Sequence, residues 1–161
     1  MSRFEFNIYT DGSYSTLESD RTYGGFVIDG LPVEMVAHTT NPKWTASRNV
    51  GGELLAVVLA LTTVKSFRDS HKEDEITVNF FYDYEGVGKW ISGAWQCKKD
   101  LTRGYRKFVN SIISMCNLKV TWTHVHGHAG IEGNERVDRL ITKSDRQEVS
   151  MNVDDLIKEI A

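Results

Sequence analysis

The order in which the hydrophobic period changes along this chain constrains its fold more than any other feature. From Phe4 to Thr10, Phe4, Phe6 and Ile8 alternate with Glu5, Asn7 and Tyr9, the period of a half-buried strand. The run ends at Asp11-Gly12-Ser13, a turn signal. Thr22–Ile28 and Val33–Thr39 read as two further strands, joined by Asp29-Gly30, a hairpin signal. Then the period shifts. Leu54, Val57, Val58, Leu61 and Val64 recur at three- and four-residue spacing, which predicts a helix to about Phe67 that Ser47 or Asn49 can cap. Ile76–Tyr82 is a short β-branched and aromatic run suited to a central strand. Beyond it the pattern predicts a short helix over 84–93 and a second helix over Tyr105–Met115, with Phe108, Val109, Ile112 and Ile113 on one face. A fifth strand over Leu118–Val125, a glycine-rich loop over Gly127–Gly133 and a helix over Asn134–Lys143 follow. An amphipathic helix from Asn152 to Ala161 closes the chain. The order β-β-β-α-β-α-α-β-α implies an α/β fold with a five-stranded mixed sheet and helices on its faces.

At 161 residues the chain is expected to form one domain over 1–161, with 145–161 as a C-terminal helical tail on its body. Apolar residues make up 40% and charged residues 25%, enough to bury a core and exclude a disordered chain. No window reaches the roughly 18–20 uninterrupted apolar residues of a membrane span. Met1 to Glu5 lacks the apolar stretch of a secretory signal, and Cys97 and Cys116 show neither CxxC nor zinc-ligand spacing. A cytoplasmic monomer with two reduced thiols is the expectation.

The net charge of −3 is unevenly spread. Lys89, Lys98, Lys99, Arg103, Arg106 and Lys107 face one acid, Asp100, across residues 89–107, whereas eight acids lie from Glu132 onward. One basic segment and several isolated acids suit a protein that grips phosphate in one place and holds metal in another. A basic, solvated surface helix accounts for the same charges.

Four acids stand where elements begin or end: Asp11 after the first strand, Glu53 in the first turn of the long helix beside Gly51 and Gly52, Asp83 after the fourth strand, and Asp138 in the first turns of the last predicted helix. If strands one and four are neighbours, Asp11 and Asp83 meet at one edge of the sheet, a common ligand-site position. Each acid also has a plain structural reading. Asp11 could belong to a turn, Glu53 could be favoured by the helix dipole, Asp83 could be an N-cap, and Asp138 could pair with Arg136 or Arg139.

The motifs around the acids alter that balance. Tyr9-Thr10-Asp11-Gly12-Ser13, Asn49…Glu53, Tyr82-Asp83 and His124-Val125-His126-Gly127-His128-Ala129-Gly130-Ile131-Glu132-Gly133-Asn134-Glu135-Arg136-Val137-Asp138 occur in that order. Over about residues 4–144 the chain resembles the type 1 ribonuclease H family, of the bacterial kind. The resemblance implies a ribonuclease H-like fold and an endonuclease that cuts the RNA strand of RNA–DNA hybrids to leave 5′-phosphate and 3′-hydroxyl ends. It implies that Asp11, Glu53, Asp83 and Asp138 hold metal, and that His128 is a loop histidine aiding proton transfer or product release. It also implies that Glu135 lies near the metal site and that Ser13 and Asn49 touch nucleic acid. His126 is read as a phosphate contact and His124 as structural.

Two departures stand out. Tyr84-Glu85 follows Asp83 in place of the commoner serine, and Glu85 reads as a helix-start acid. The basic protrusion is short, reduced to Trp90, Trp95, Lys98, Lys99 and Arg103. Trp90 and Trp95 could stack on sugars, although buried tryptophans are the commoner case.

Phosphodiester hydrolysis needs opposing charge at the attacking and leaving oxygens, which two cations about 4 Å apart provide. Four carboxylates suit two Mg²⁺ ions, with Mn²⁺ able to substitute. The lack of a cysteine–histidine cluster argues against zinc. Backbone groups near Gly12, Ser13 and Asn49 are placed to read 2′-hydroxyls in a hybrid's wide minor groove. Two other readings use the same residues. Another nuclease of the ribonuclease H-like superfamily is disfavoured by the Gly-His-Ala-Gly segment, and a catalytically silent hybrid-binding module by the presence of all four acids.

Overall fold

The computed structural model describes residues 1–17, 19–126, 132–142 and 150–160. Its strands are β1 (Arg3–Ser15), β2 (Arg21–Ile28), β3 (Val33–Thr39), β4 (Glu75–Tyr82), β5 (Lys119–His124) and β6 (Ser150–Asn152). Its helices are α1 (Pro42–Thr45), α2 (Arg48–Ser70), α3 (Gly86–Ser92), α4 (Asp100–Met115), α5 (Glu132–Thr142) and α6 (Asp154–Ile157). The strands form one mixed sheet in the order β5-β4-β1-β2-β3-β6. β1 runs antiparallel to β2 and parallel to β4, and β4 runs parallel to β5.

Alternation along the strands divides the core in two. Ile8, Phe26, Ile28, Ile76, Val78 and Phe80 face the main core with α2 and α4. Tyr9, Tyr23, Val27 and Val36 face the other way, against Val137 and Leu140 of α5. α2 is buried continuously from Gly51 to Leu61 and again at Val64, a wider face than its three- and four-residue spacing suggests. It is apolar enough to cross a membrane by length and composition, yet here it is enclosed by the sheet and α4, as expected of a helix apolar on most sides.

Three expectations are corrected. The sheet has six strands, because Ser150–Asn152 pairs in parallel with Val36–His38 at the β3 edge. The tail is therefore a strand followed by the short α6, whose Ile157 joins the main core with Val153 and Ile160. Asp154 accepts hydrogen bonds from the hydroxyls of Thr39 and Thr40 and pins that segment to the end of β3. An edge strand of three residues is recruited by backbone groups, which leave no side-chain period to read. Secondly, Asp11-Gly12-Ser13 is no turn: β1 continues through it and pairs with β2 as far as Ser15 opposite Arg21. Thirdly, α4 starts at Asp100, so with the end of α3 most of the basic segment is helical.

Candidate active site

The β1–β4 register sets the first two acids. Thr10 lies opposite Tyr82, so Asp11 and Asp83, each one residue further along, stand at the same end of the β1–β4 pairing, where β4 stops and β1 runs on. Glu53 arrives from above because the first turns of α2 lie directly on the strand backbones. A Cβ on Gly12 would overlap the backbone nitrogen of Glu53 and come within 2.8 Å of the Asn49 carbonyl, and one on Gly24 would sit 2.6 Å from Ala56 N and Gly52 O. Only glycine permits that approach. Asp138 comes from α5, which rests on β1 and β2.

Burial is graded across the four. Glu53 is buried, Asp11 and Asp138 are half-buried, and Asp83 is exposed. Burial, then the neighbouring charge of Asp11, pushes the Glu53 carboxyl well above its usual range, and a hydrogen bond with Asp11 adds to the rise. Asp11 is also raised, first by burial, with the charges of Asp138 and Asp83 adding. Its hydrogen bonds with Glu53 and the Gly12 N–H (2.9 Å) hold it partly down. Glu53 Oε2 is buried with no hydrogen-bond partner among the described residues. Among the described residues no three His, Cys, Asp or Glu side chains close into a cation cage. Asp11 and Glu53 touch, while Asp83 and Asp138 act on them through space, as like charges that stand apart.

Around Asp83, His124 Nε2 lies 2.6 Å from the Asp83 carbonyl, and its ring packs on Tyr82 and near His126. Since a carbonyl only accepts, that nitrogen carries the hydrogen. Glu85 is the N-cap residue of α3 and pairs with Lys89 one turn on. That ammonium holds the Glu85 carboxyl below its usual range. Asp83 therefore precedes the α3 cap without being it.

A cleft of about 450 Å³ lies at the start of α2, lined by Arg48, Asn49, Tyr84, Trp90, Lys98 and Lys99 among others, and none of the four acids is in its lining. Tyr84, Trp90 and Trp95 are half-buried and pack on one another at 5.5–6.2 Å between ring centroids. Arg103 lies elsewhere, with Arg106 and Lys107 in a second groove beyond Trp95, and bonds Asp100 at 2.5 Å. The Gly12 N–H is engaged by Asp11. Ser13 continues β1 beside it, Asn49 is exposed at the start of α2, and Glu135 is exposed on α5. His128 lies outside the described residues.

Two cleft residues were given no site role in the sequence reading. Arg48 has a left-handed backbone (φ 52°) and extends over the Tyr14 ring at 5.9 Å. A cation in the first turn of a helix opposes the helix dipole, and that misfit was the available signal. Tyr84 stands near enough to the acids for the charge of Glu53 to add to the rise that burial causes in its phenol pKa.

Comparison with known proteins identifies the family of the chain. Residues 4–146 match the family model described as RNase H. The Ribonuclease H of Hyphomonas neptunium is 30% identical over 145 residues, which cover 84% of this chain and 89% of that protein. The Ribonuclease H of Acetivibrio thermocellus is 28% identical over 143 residues, 84% of this chain and 91% of that one. RNase H1 from the halophilic archaeon Halobacterium salinarum shares the fold with a TM-score of 0.68 at 21% identity, over 89% of this chain and 99% of that one. LC11-RNase H1, solved in complex with an RNA/DNA hybrid, has a TM-score of 0.68 at 20% identity, over 90% and 99%. With a family match that spans β1 to α5 and a relative 30% identical over most of both chains, the chain belongs to the RNase H family.

Proposed function

We propose that this chain is an endonuclease that hydrolyses the RNA strand of RNA–DNA hybrids, dependent on divalent metal and leaving 5′-phosphate and 3′-hydroxyl ends. One observation carries the reading: Asp11, Glu53, Asp83 and Asp138 reach one edge of the sheet from separate elements, and the deepest of them keeps a buried oxygen without a partner. The relatives named above are ribonucleases H, and LC11-RNase H1 was solved with a hybrid.

The donor set fits a hard cation, since it consists of carboxylate oxygens and includes one desolvated and unsatisfied. Asp11, Glu53, Asp83 and Asp138 would hold two Mg²⁺ ions, or Mn²⁺ in their place. Cations bound there supply an activated water and charge stabilisation at the phosphate. The chain's own groups do the rest. The Gly12 N–H orients the Asp11 carboxylate. Arg48, Lys98 and Lys99 in the cleft attract the phosphates of the uncut strand. Asn49 in the cleft and Ser13, two residues beyond Asp11 on β1, are assigned to minor-groove contacts, and Trp90 with Tyr84 forms an apolar wall of the cleft. Arg103, Glu135 and His126 extend the contact surface in the same reading, which also takes the protein to be a cytoplasmic monomer.

The test is a labelled RNA–DNA hybrid with and without Mg²⁺, beside double-stranded DNA and double-stranded RNA. Cleavage confined to the RNA strand of the hybrid, and to the metal-containing tubes, is the expected result. Cleavage of duplex DNA, or binding without cleavage in Mg²⁺, overturns it.

His128 is assigned proton transfer or product release in this reading, because an imidazole titrates near neutral pH. His128→Ala should lower turnover by about 10²-fold or more and leave the Mg²⁺ affinity, read by calorimetry, as in the wild type. Parallel loss of metal affinity removes that role.

A further inference from the structure

Of the four acids, only Asp138 is delivered by a helix lying across the far face of the sheet. That helix meets β1, β2 and β3 through Val137, Leu140 and the Tyr9, Tyr23, Val27 and Val36 side chains. Such contacts are apolar and non-directional, and by themselves allow a helix to slide or roll. Arg136 supplies direction. Its Nη1 donates to the carbonyls of Ile28 (3.2 Å) and Leu31 (3.0 Å), and its Nη2 to the carbonyl of Val33 (3.3 Å) and to Glu34 Oε1 (3.0 Å). One planar guanidinium thus grips both ends of the β2–β3 connection and the loop between them. It is not paired with Asp138, as sequence alone allowed.

The geometry points to Arg136 as the positioning residue for Asp138, with the β2–β3 hairpin as its anchor. Two residues along a helix are about 200° around and about 3 Å further on, so Arg136 and Asp138 project from nearly opposite sides of α5. Arg136 reaches the hairpin beside Ile28, while Asp138 faces the acid edge, close enough for its charge to act on Asp11. Asp11 lies opposite Gly25, three residues along β2 from Ile28, roughly 10 Å at strand spacing. The fork therefore sets both the axial position and the roll of α5 relative to the strand that carries Asp11. A bidentate, charge-assisted grip restrains orientation as well as distance. Supports of this kind behind a metal ligand typically govern affinity by about 10–100-fold.

The inference rests on the metal-binding role proposed above, and its test separates the two. Mg²⁺ binding is measured by calorimetry on wild type, Arg136→Gln, Arg136→Lys and Glu34→Gln, with circular dichroism as a check of fold and hybrid KM as an independent readout. The expected result is Mg²⁺ affinity weakened about 10–100-fold in Arg136→Gln, partly restored in Arg136→Lys and mildly reduced in Glu34→Gln, while hybrid KM at saturating metal stays unchanged. The Leu31 carbonyl is exposed to water, and the Ile28 carbonyl keeps its hydrogen bond from the Leu31 N–H, so the fold should persist. If Arg136→Gln does not fold, the two milder variants decide by the same affinity order. Wild-type Mg²⁺ affinity in a folded Arg136→Gln, or in both milder variants, overturns the inference. No Mg²⁺ binding by the wild type overturns the metal-site reading instead.

Discussion

Glu53→Gln should abolish hybrid cleavage, by about 10³-fold or more, and yet make the protein more stable than wild type in chelator at neutral pH. The activity loss follows from removing one of four charges that would hold the cations, whose stabilisation of the transition state is worth several kcal/mol. The stability gain follows from burial. Glu53 is raised well above the ordinary carboxylate range by desolvation and by Asp11, and Asp11 is raised in turn. Folded protein therefore holds protons that the unfolded chain releases from about pH 4 upward. This contribution is neutral below the unfolded values and becomes destabilising as pH rises through the raised folded ones. Glutamine keeps the shape without the ionisation cost, so the advantage of the variant should grow with pH across that window. Mg²⁺ should raise the wild-type Tm, because a ligand bound to the folded state alone stabilises it, and should raise the variant's less. Melting curves with chelator and with Mg²⁺, from acid to mildly alkaline pH, together with a cleavage assay, check both halves. Activity within about tenfold of wild type, or a variant less stable than wild type at every pH, rules out this account of Glu53. Asp11→Asn should lose activity similarly while keeping its fold by circular dichroism, since an amide oxygen can still accept the Gly12 N–H.

Gly52→Ala should cost about 3 kcal/mol or more, at the upper end for overpacking a well-packed site. A Cβ there would overlap the carbonyl oxygen of Tyr23 and come within 2.9 Å of the Ser13 nitrogen. Both obstacles are backbone in the central sheet, so neither can rotate aside. Relief requires α2 to lift away from β1 and β2, which also carries Glu53 away from Asp11, and cleavage should fall with stability. Gly30→Ala is the control. Gly30 has φ +79° with nothing within 4 Å of its Cβ position, so its cost is backbone strain alone, about 1 kcal/mol, with activity preserved. Urea denaturation and single-turnover cleavage of both variants measure the contrast. Equal costs for the two would mean that the close approach of α2 to the sheet is not what holds this edge together.

Much of this site could be read before any coordinates. Ile8, Phe26, Val57 and Phe80 declare their elements through period alone, because a side chain's burial is recorded in its own chemistry. The four acids were singled out by the motifs around them, although β1 runs on past Asp11 and Asp138 lies in the middle of α5. Other features could not be seen in this way. β1 runs through Asp11-Gly12 as strand because α2 lies over Gly12, and a glycine required for close approach looks the same as one required for a turn. Arg136 had an acid two residues away and another at Glu34. Only the placement of α5 against the β2–β3 connection selects the second.

What the sequence determined by itself is therefore the set of elements, their order, and the identity of the charges brought to the active edge. The tertiary structure decided the sixth strand, the continuation of β1, the assembly of Arg48, Tyr84, Trp90, Lys98 and Lys99 into one cleft, and the anchoring of Asp138 through Arg136. The cleft needs distant side chains to meet, and the other three share one physical reason. Edge pairing, backbone contact and carbonyl-gripping guanidinium forks use groups that nearly every residue carries, so they leave no pattern in residue type and exist only once distant segments have met.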